Sequence, residues 1–424
     1  MDKGIIRAAA GKINRIPEIN SFCAIGDPGC GGLGAAAMGI FARALNIGNV
    51  ELSIIAGDIV PYGSRPLYEN AVEFINSAAS TPVYTLCGNH DTDFFDEYFG
   101  PGNYAIANDK LLVILLDNSS KSFSQEALSF FNEIMQGRLP ENIVVFFHIP
   151  PPNSFTANSM RNEKWESFRT IYLPFKDKIK YFVCGHVHSF FTDSIDGIPL
   201  IVTGGGGTRM EPLNDDFKDS ENVSHHVVRF YFDNMEKLVY EFIGLDDIPY
   251  LKELSDEKLA EYLNNAYVNE CAAHFRYRLF AENAAEKNNP GLAALFNALS
   301  DSEYRHAKNH YFVIGKSTSP ENYIRESAEN ENYEISVMYK DYMGYAAERG
   351  HALAKYSFFD AFNAEKVHKK LLDEALGKFL KKENIPVLKY FTCASCGYTF
   401  KGDETPSRCP VCGAPHPGRE TEHR

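Results

Sequence analysis

The chain has 424 residues, 44% of them hydrophobic and 23% charged, which supplies apolar material for two or three buried cores and excludes a largely disordered polypeptide. A formal net charge of −14 argues against nucleic acid as the main partner, because a phosphate backbone is met by an excess of lysine and arginine. There is no apolar run of the roughly eighteen residues that a membrane helix needs, and Met1-Asp-Lys-Gly-Ile-Ile-Arg7 lacks the apolar core of a signal peptide, so a cytoplasmic protein is expected. Cysteine usage agrees with a reducing compartment: Cys23, Cys87 and Cys184 fall in runs that read as buried strands, and Cys30 and Cys271 match no pairing pattern.

Residues 1–247 alternate short apolar runs with helix-like segments, the pattern of an α/β or layered-sheet domain. Nearly every run ends in a residue that can bind metal. In order these are Ala24-Ile-Gly-Asp27, Ile54-Ile-Ala-Gly-Asp58, Thr85-Leu-Cys-Gly-Asn89-His90-Asp91, Val145-Phe-Phe-His148 and Phe182-Val-Cys-Gly-His186-Val-His188. A lone Gly-Asp is an ordinary turn and a lone strand-end histidine is ordinary structure, but five such ends in series converge on one sheet edge. Loops leaving that edge can hold a pair of divalent ions, and Asp58 suits the bridging position because a carboxylate has lone pairs for both.

Over roughly residues 20–245 this series resembles the calcineurin-like metallophosphoesterases. The resemblance implies a β-sandwich with flanking helices and hydrolysis of phosphate esters at two metal ions, iron, manganese or zinc. Residue by residue it implies Asp27, Asp58 and His188 on one ion and Asp58, Asn89, His148 and His186 on the other. His90 would stand beside the leaving-group oxygen as general acid or charge stabiliser, held by Asp91. One position departs from the family pattern: where Asp-x-His is common, Asp27-Pro28-Gly29 has glycine. That form is similar to purple acid phosphatases, in which a tyrosine supplies the missing ligand. Tyr62, one residue further along than that family's tyrosine, is either this ligand or a turn-packing residue, and Cys30 is the less favoured substitute. The run Gly204-Gly-Gly-Gly207 reads as a flexible turn, with a close backbone approach to the site as the alternative.

Sheet patterning stops at Gly244-Leu-Asp-Asp-Ile-Pro249, and residues 248–384 read as four amphipathic helices, with Ser255 as N-cap of the first. They carry Glu270, then Glu303 with His306, then Glu331 with Glu334, then Glu365 with His368. An i, i+3 pair projects from one helix face, so the last three segments can each aim two ligands at a common point. A single Glu-x-x-His is usually a solvated face, whereas two copies with a Glu-rich helix between them describe a carboxylate-bridged metal pair.

Residues 255–424 resemble rubrerythrin, which implies a ferritin-like four-helix bundle around a di-iron centre. By that resemblance Glu270, Glu303, Glu334 and Glu365 are the main carboxylate ligands, His306 and His368 the imidazole ligands, and Glu331 an additional carboxylate. Tyr277 and Tyr339 match family tyrosines near the irons, with packing tyrosines as the alternative. His274 and His351 match no ligand and read as helix-surface or helix-end residues.

The segment 385–424, after the boundary at Lys381-Lys-Glu-Asn-Ile-Pro386, holds Cys393-Ala-Ser-Cys396 and Cys409-Pro-Val-Cys412. Two such hairpins set four thiolates at the corners of a tetrahedron, which suits zinc or a single iron. With Gly397-Tyr398 and Gly413 beside them they resemble rubredoxin, which implies one iron that passes single electrons. The whole chain is then expected to join a phosphoesterase to a peroxide reductase serving oxidative-stress defence, fed by an external donor such as an NAD(P)H-dependent rubredoxin reductase. Alternatives make the helical part a redox or iron sensor for the phosphoesterase, or an iron-storage or dimerising module. The resemblance and the linker Lys381–Lys389 imply a homodimer in which electrons cross between chains.

Overall fold

Two sheets are built by the apolar runs of residues 4–244: β1 (Gly4–Ile5), β2 (Ile13–Arg15), β3 (Ser21–Ile25), β4 (Leu52–Ile55), β5 (Pro82–Thr85), β6 (Tyr104–Ala107), β7 (Leu111–Leu115), β8 (Asn142–Phe146), β9 (Ile179–Cys184), β10 (Phe190–Ile195), β11 (Ile198–Thr203), β12 (His226–Phe232) and β13 (Leu238–Gly244). The first sheet runs β1-β5-β4-β3-β12-β13 and the second β10-β11-β9-β8-β7-β6-β2. Within them β3, β4 and β5 are parallel neighbours, as are β7, β8 and β9, so each group brings its carboxyl ends to one edge. These strands are buried on both faces, which is why they read as unbroken Val/Ile/Leu/Phe runs rather than as alternation.

Between the sheets lies a core of Phe22, Ile54, Phe146, Val183, Val228 and Phe230, with Phe22 stacked on Phe230 at 4.8 Å between ring centroids. Each such ring contributes about 2 kcal/mol by leaving water. Helices α1 (Ala35–Ala44) and α2 (Arg65–Ala78) cover the outer face of the first sheet. Tyr68, Ala71 and Ile75 form the buried stripe of α2, facing Ile25, Ile55 and Val83. After the short α3 (Phe95–Tyr98), helices α4 (Gln125–Met135) and α5 (Asn162–Tyr172) cover the second sheet through Phe131, Trp165 and Phe168 against Phe147 and Phe182. Ser124 starts α4 by accepting from the Ala127 amide. The sandwich with helices on both outer faces is the one the motifs implied.

The computed structural model describes residues 3–217, 223–245, 256–314, 319–385, 388–402, 406–415 and 418–420. The chain divides into two units, Met1–Gly315 and Lys316–Arg424. In the first unit α6 (Glu257–Glu286) and α7 (Pro290–Ile314) pack as a hairpin, and α7 also lies against α1. The expected N-cap Ser255 and the expected boundary at 247/248 lie outside the described residues. Asp256 caps α6, its carboxylate accepting from the Lys258 and Leu259 amides. In the second unit α8 (Pro320–Tyr333) passes through a π-helical segment, Glu334–Met338, into α9 (Tyr339–Glu348), and α10 (Ala352–Leu380) packs along both. The four helices of the ferritin-like part are therefore two hairpins, one in each unit. A ribbon of β14 (Tyr390–Cys393), β15 (Thr399–Lys401) and β16 (Gly418–Glu420) follows and meets α10.

Candidate metal centres

At the carboxyl ends of β3, β4 and β9 the chain turns sharply through Asp27, Asp58 and His186, whose φ angles are 53°, 56° and 69°. Left-handed backbone costs a non-glycine residue about 1–2 kcal/mol, so its recurrence at three expected ligands marks a site held by its surroundings. The ends of β5 and β8 add Asn89 and His148. Asp58 belongs to two clusters, one with His148 and His186 and one with Cys30 and His188, each with ligand atoms within 4.8 Å of one another. Its Oδ1 lies 3.4 Å from His148 Nε2, which also faces Asn89 Oδ1 at 3.0 Å. Asp27 stands 3.9 Å from His188 Nε2, and both its oxygens accept from the His186 backbone amide. The six expected ligands other than Tyr62 are thus brought together.

The electrostatics of these groups are those of a cation site. Asp27 and Asp58 are 0% and 1% exposed. Burial pushes Asp27 well above the carboxylate range, whereas at Asp58 the neighbouring His148 outweighs burial and holds the carboxyl below it. Burial works against a charge on His148, but Asp58 and Asp27 prevail and raise it to about 10. Burial and the His148 charge take His186 down to about 3. A divalent ion would supply the positive charge these carboxylates need, and the donor set of carboxylates, imidazoles and an amide fits such an ion.

The neighbours of His90 correct one expectation. Asp91 does not hold its ring: the buried Asp91 carboxylate accepts from the amides of Ile59, Val60 and Gly88 and so braces the Asp58 loop. The His90 ring is held instead through Nδ1 by the Pro61 carbonyl at 2.7 Å, and its backbone amide donates to Asp58 Oδ1. Tyr62 lies at the surface, 63% exposed. The Gly204–Gly207 run is buried and closely packed, the Gly206 amide donating to the Gly26 carbonyl at 2.8 Å, so close approach rather than a flexible turn describes it.

Two supporting residues escaped the sequence reading. Asn118 accepts from the His148 and Ile149 amides and donates to the Ile149 carbonyl. It ends the run Leu115-Leu-Asp-Asn118, the same strand-end pattern as the ligands, and could have been found by it. Asn158 meets His186 Nε2 at 2.9 Å and had no such signal.

On the α6–α7 hairpin Glu270, Glu303 and His306 cluster, with His306 Nδ1 2.8 Å from Glu303 and 3.7 Å from Glu270. In the second unit Glu331, Glu365 and His368 do the same, with His368 Nδ1 2.5 Å from Glu365 and 3.9 Å from Glu331. Glu331 Oε2 is buried and has no hydrogen-bond partner among the described residues, an acceptor of the kind a metal ion satisfies. Burial and Glu365 push this carboxyl up to about 8. Glu334, expected among the main ligands, lies outside the cluster and accepts from Asn330, at the point where the helix becomes π-helical. Tyr339 feels the charges of Glu334, Glu365 and Glu331, while Tyr277 stacks on Phe296. His274 braces α6 to Ser300 of α7, and His351 is the N-cap of α10.

In the ribbon Cys393 and Cys412 have sulfurs 3.7 Å apart, and Cys396 and Cys409 3.6 Å. Four sulfurs about 2.3 Å from one ion stand about 3.8 Å apart, so the set fits a tetrahedral metal. The two hairpins match each other: the Gly397 and Gly413 amides donate to the Cys393 and Cys409 carbonyls, both glycines at positive φ that turns the chain under the metal position. Thr399 Oγ1 meets His368 Nε2 at 2.9 Å, and Lys401 pairs with Glu374, so the ribbon touches the ligand helix of its own chain.

Three family profiles match successive parts of the chain. The sequence profile described as calcineurin-like phosphoesterase matches residues 21–190, rubrerythrin matches 261–376 and the rubrerythrin rubredoxin-like domain matches 391–417. Rubrerythrin-2 of Clostridium acetobutylicum is 33% identical over 168 residues, 36% of this chain and 91% of that protein. Nigerythrin of Nitratidesulfovibrio vulgaris is 29% identical over 169 residues, 37% of this chain and 82% of that one. Among solved structures, purple acid phosphatase PPD1 from yellow lupin superposes with a TM-score of 0.45 at 14% identity, over 55% of this chain and 52% of that chain. The chain belongs to the rubrerythrin family and joins, on one polypeptide, a calcineurin-like phosphoesterase domain to rubrerythrin and rubredoxin-like parts.

Proposed function

We propose that the sandwich hydrolyses phosphate esters at a dinuclear metal site, and that the helical and four-cysteine parts reduce hydrogen peroxide. The hydrolase reading is carried by Asp58, buried and common to two ligand clusters. Asp27, Asp58 and His188 would hold one ion, of iron, manganese or zinc, and Asp58, Asn89, His148 and His186 the other; bound ions supply Lewis acidity and an acidified water. The Ala56 carbonyl accepts from His148 Nδ1 and leaves Nε2 for the site. His90, with Nδ1 committed to Pro61, has Nε2 free to carry a proton to a leaving-group oxygen or to stabilise charge there. With manganese, iron or zinc supplied, turnover of an aryl phosphate is expected, and Asn89→Ala or His186→Ala should abolish it. No metal-dependent turnover across a panel of phosphomonoesters and phosphodiesters would reject the reading.

Peroxide reduction consumes two electrons and two protons and yields two waters, so it needs a paired electron store. The α6–α7 hairpin gathers Glu270, Glu303 and His306, the second unit gathers Glu331, Glu365 and His368, and the buried Glu331 oxygen, without a hydrogen-bond partner among the described residues, supports an extra carboxylate for metal. Cys393, Cys396, Cys409 and Cys412 would hold one iron, which would supply single-electron transfer from an external reductase. The Thr399–His368 contact favours delivery within one chain over the expected crossing between chains. Homodimerisation belongs to the same proposal, since Phe275 and Leu353 are 65% and 80% exposed, apolar surface of the kind subunit contacts cover. The chemically reduced protein should be reoxidised faster by hydrogen peroxide than by dioxygen, and Glu331→Ala should narrow the gap. Faster reaction with dioxygen, with iron accumulating beyond two per helical part, would favour storage.

A further inference from the structure

We infer that Cys30 is a thiolate ligand of the ion that Asp27, Asp58 and His188 surround, in the coordination position that the histidine absent from residue 29 would have filled; this rests on the dinuclear reading above. The backbone at Gly29 explains why the ligand had to move. Its amide donates to the Asp58 carbonyl at 2.9 Å, and a Cβ built on it would stand 1.8 Å from the Ile59 carbonyl oxygen. The loop carrying Asp27 therefore lies flush against the loop carrying Asp58, and no side chain of any kind fits between them.

The next residue points the other way. Cys30 Sγ, an Asp58 carboxylate oxygen and a His188 ring nitrogen lie within 4.8 Å of one another. Ligand atoms sharing one ion at bond lengths of about 2.0–2.3 Å are separated by at most about 4.5 Å, so small side-chain adjustments complete the set. The loop is held in place: the Gly32 amide closes a turn on the Gly29 carbonyl, and Gly31 abuts Thr208, where a Cβ would come within 3.0 Å of the hydroxyl. Tyr62, the other candidate, has 63% of its surface exposed. A thiolate among carboxylate and imidazole ligands makes this position softer and favours iron or zinc over manganese.

The test uses the full-length chain loaded with cobalt(II), comparing wild type with Cys30→Ser so that the four-cysteine site contributes equally to both. Wild type should show an additional near-ultraviolet sulfur-to-cobalt band, and Cys30→Ser should lose it together with at least tenfold of the affinity at one cobalt site. Cys30→His should restore the affinity without the band. As a check that needs no variant, zinc should protect Cys30 from iodoacetamide relative to the chelated protein, read on its own peptide by mass spectrometry. Identical spectra and affinities for wild type and Cys30→Ser, while Asp58→Asn loses cobalt, would overturn the Cys30 assignment alone. Unchanged cobalt binding in Asp58→Asn would overturn the dinuclear reading and this inference with it.

Discussion

Asp27, Asp58 and His148 in the sandwich are each 1% exposed or less, whereas the side chains of His306 and His368 on the helical hairpins are 52% and 32% exposed. The sandwich ligands ride on turns that leave a four-layer core of two sheets and their covering helices, so long-range strand pairing sets their geometry. The hairpin ligands ride on helix faces above little core: the buried side chains described there are alanines and Ser300. Helical spacing alone orients them. One kind of site is preformed by packing, and the other rests on helical spacing with little core beneath it.

Metal removal separates these most sharply. The ribbon has only Phe391, Cys393 and Cys409 as buried apolar residues among those described, so chelation should unfold it, a loss of about 10 kcal/mol on the scale of structural metal sites. The sandwich should stay resistant to limited proteolysis under the same treatment; cleavage within its strands would break the comparison. Asp58→Asn should cost about a thousandfold in phosphoesterase turnover while leaving reoxidation by peroxide unchanged, and Glu365→Ala should do the reverse. Coupled losses in both variants would show that the halves do not work separately.

Smaller effects sharpen the contrast. Gly29→Ala forces a methyl group against the Ile59 carbonyl and should destabilise the sandwich by about 3 kcal/mol in denaturant unfolding. Thr399→Val removes the contact to His368. It should slow reductase-linked peroxide turnover by about fivefold, the worth of one hydrogen bond, without changing reoxidation of chemically reduced protein. Ser300→Ala loosens the α6–α7 hairpin at His274 and should cost about 1 kcal/mol, seen as a lower unfolding midpoint of the helical signal.

The ligand motifs were legible in the amino-acid sequence because each encodes its geometry locally. A strand that ends in Gly-Asp or Gly-His delivers its last residue to the sheet edge, an i, i+3 pair shares a helix face, and a Cys-x-x-Cys hairpin turns both sulfurs to one side. Three such local rules were enough to pick out the strand-end ligand series, the two Glu-x-x-His helices and the four-cysteine ribbon, while the sandwich itself was what the resemblance implied. Tertiary structure alone decided what depends on partners distant in the chain. Asp91 serves the amides of Ile59 and Val60 rather than His90 because the Asp58 loop folds over it. The π-helical segment at Glu334–Met338, which a continuous amphipathic pattern hides, sits where Glu334 departs from the ligand cluster. Cys30 rather than Tyr62 faces Asp58 because the Gly29 backbone packs against Ile59. Backbone packing of this kind leaves no periodic trace in a sequence, since the contact belongs to two loops and not to either one's residues.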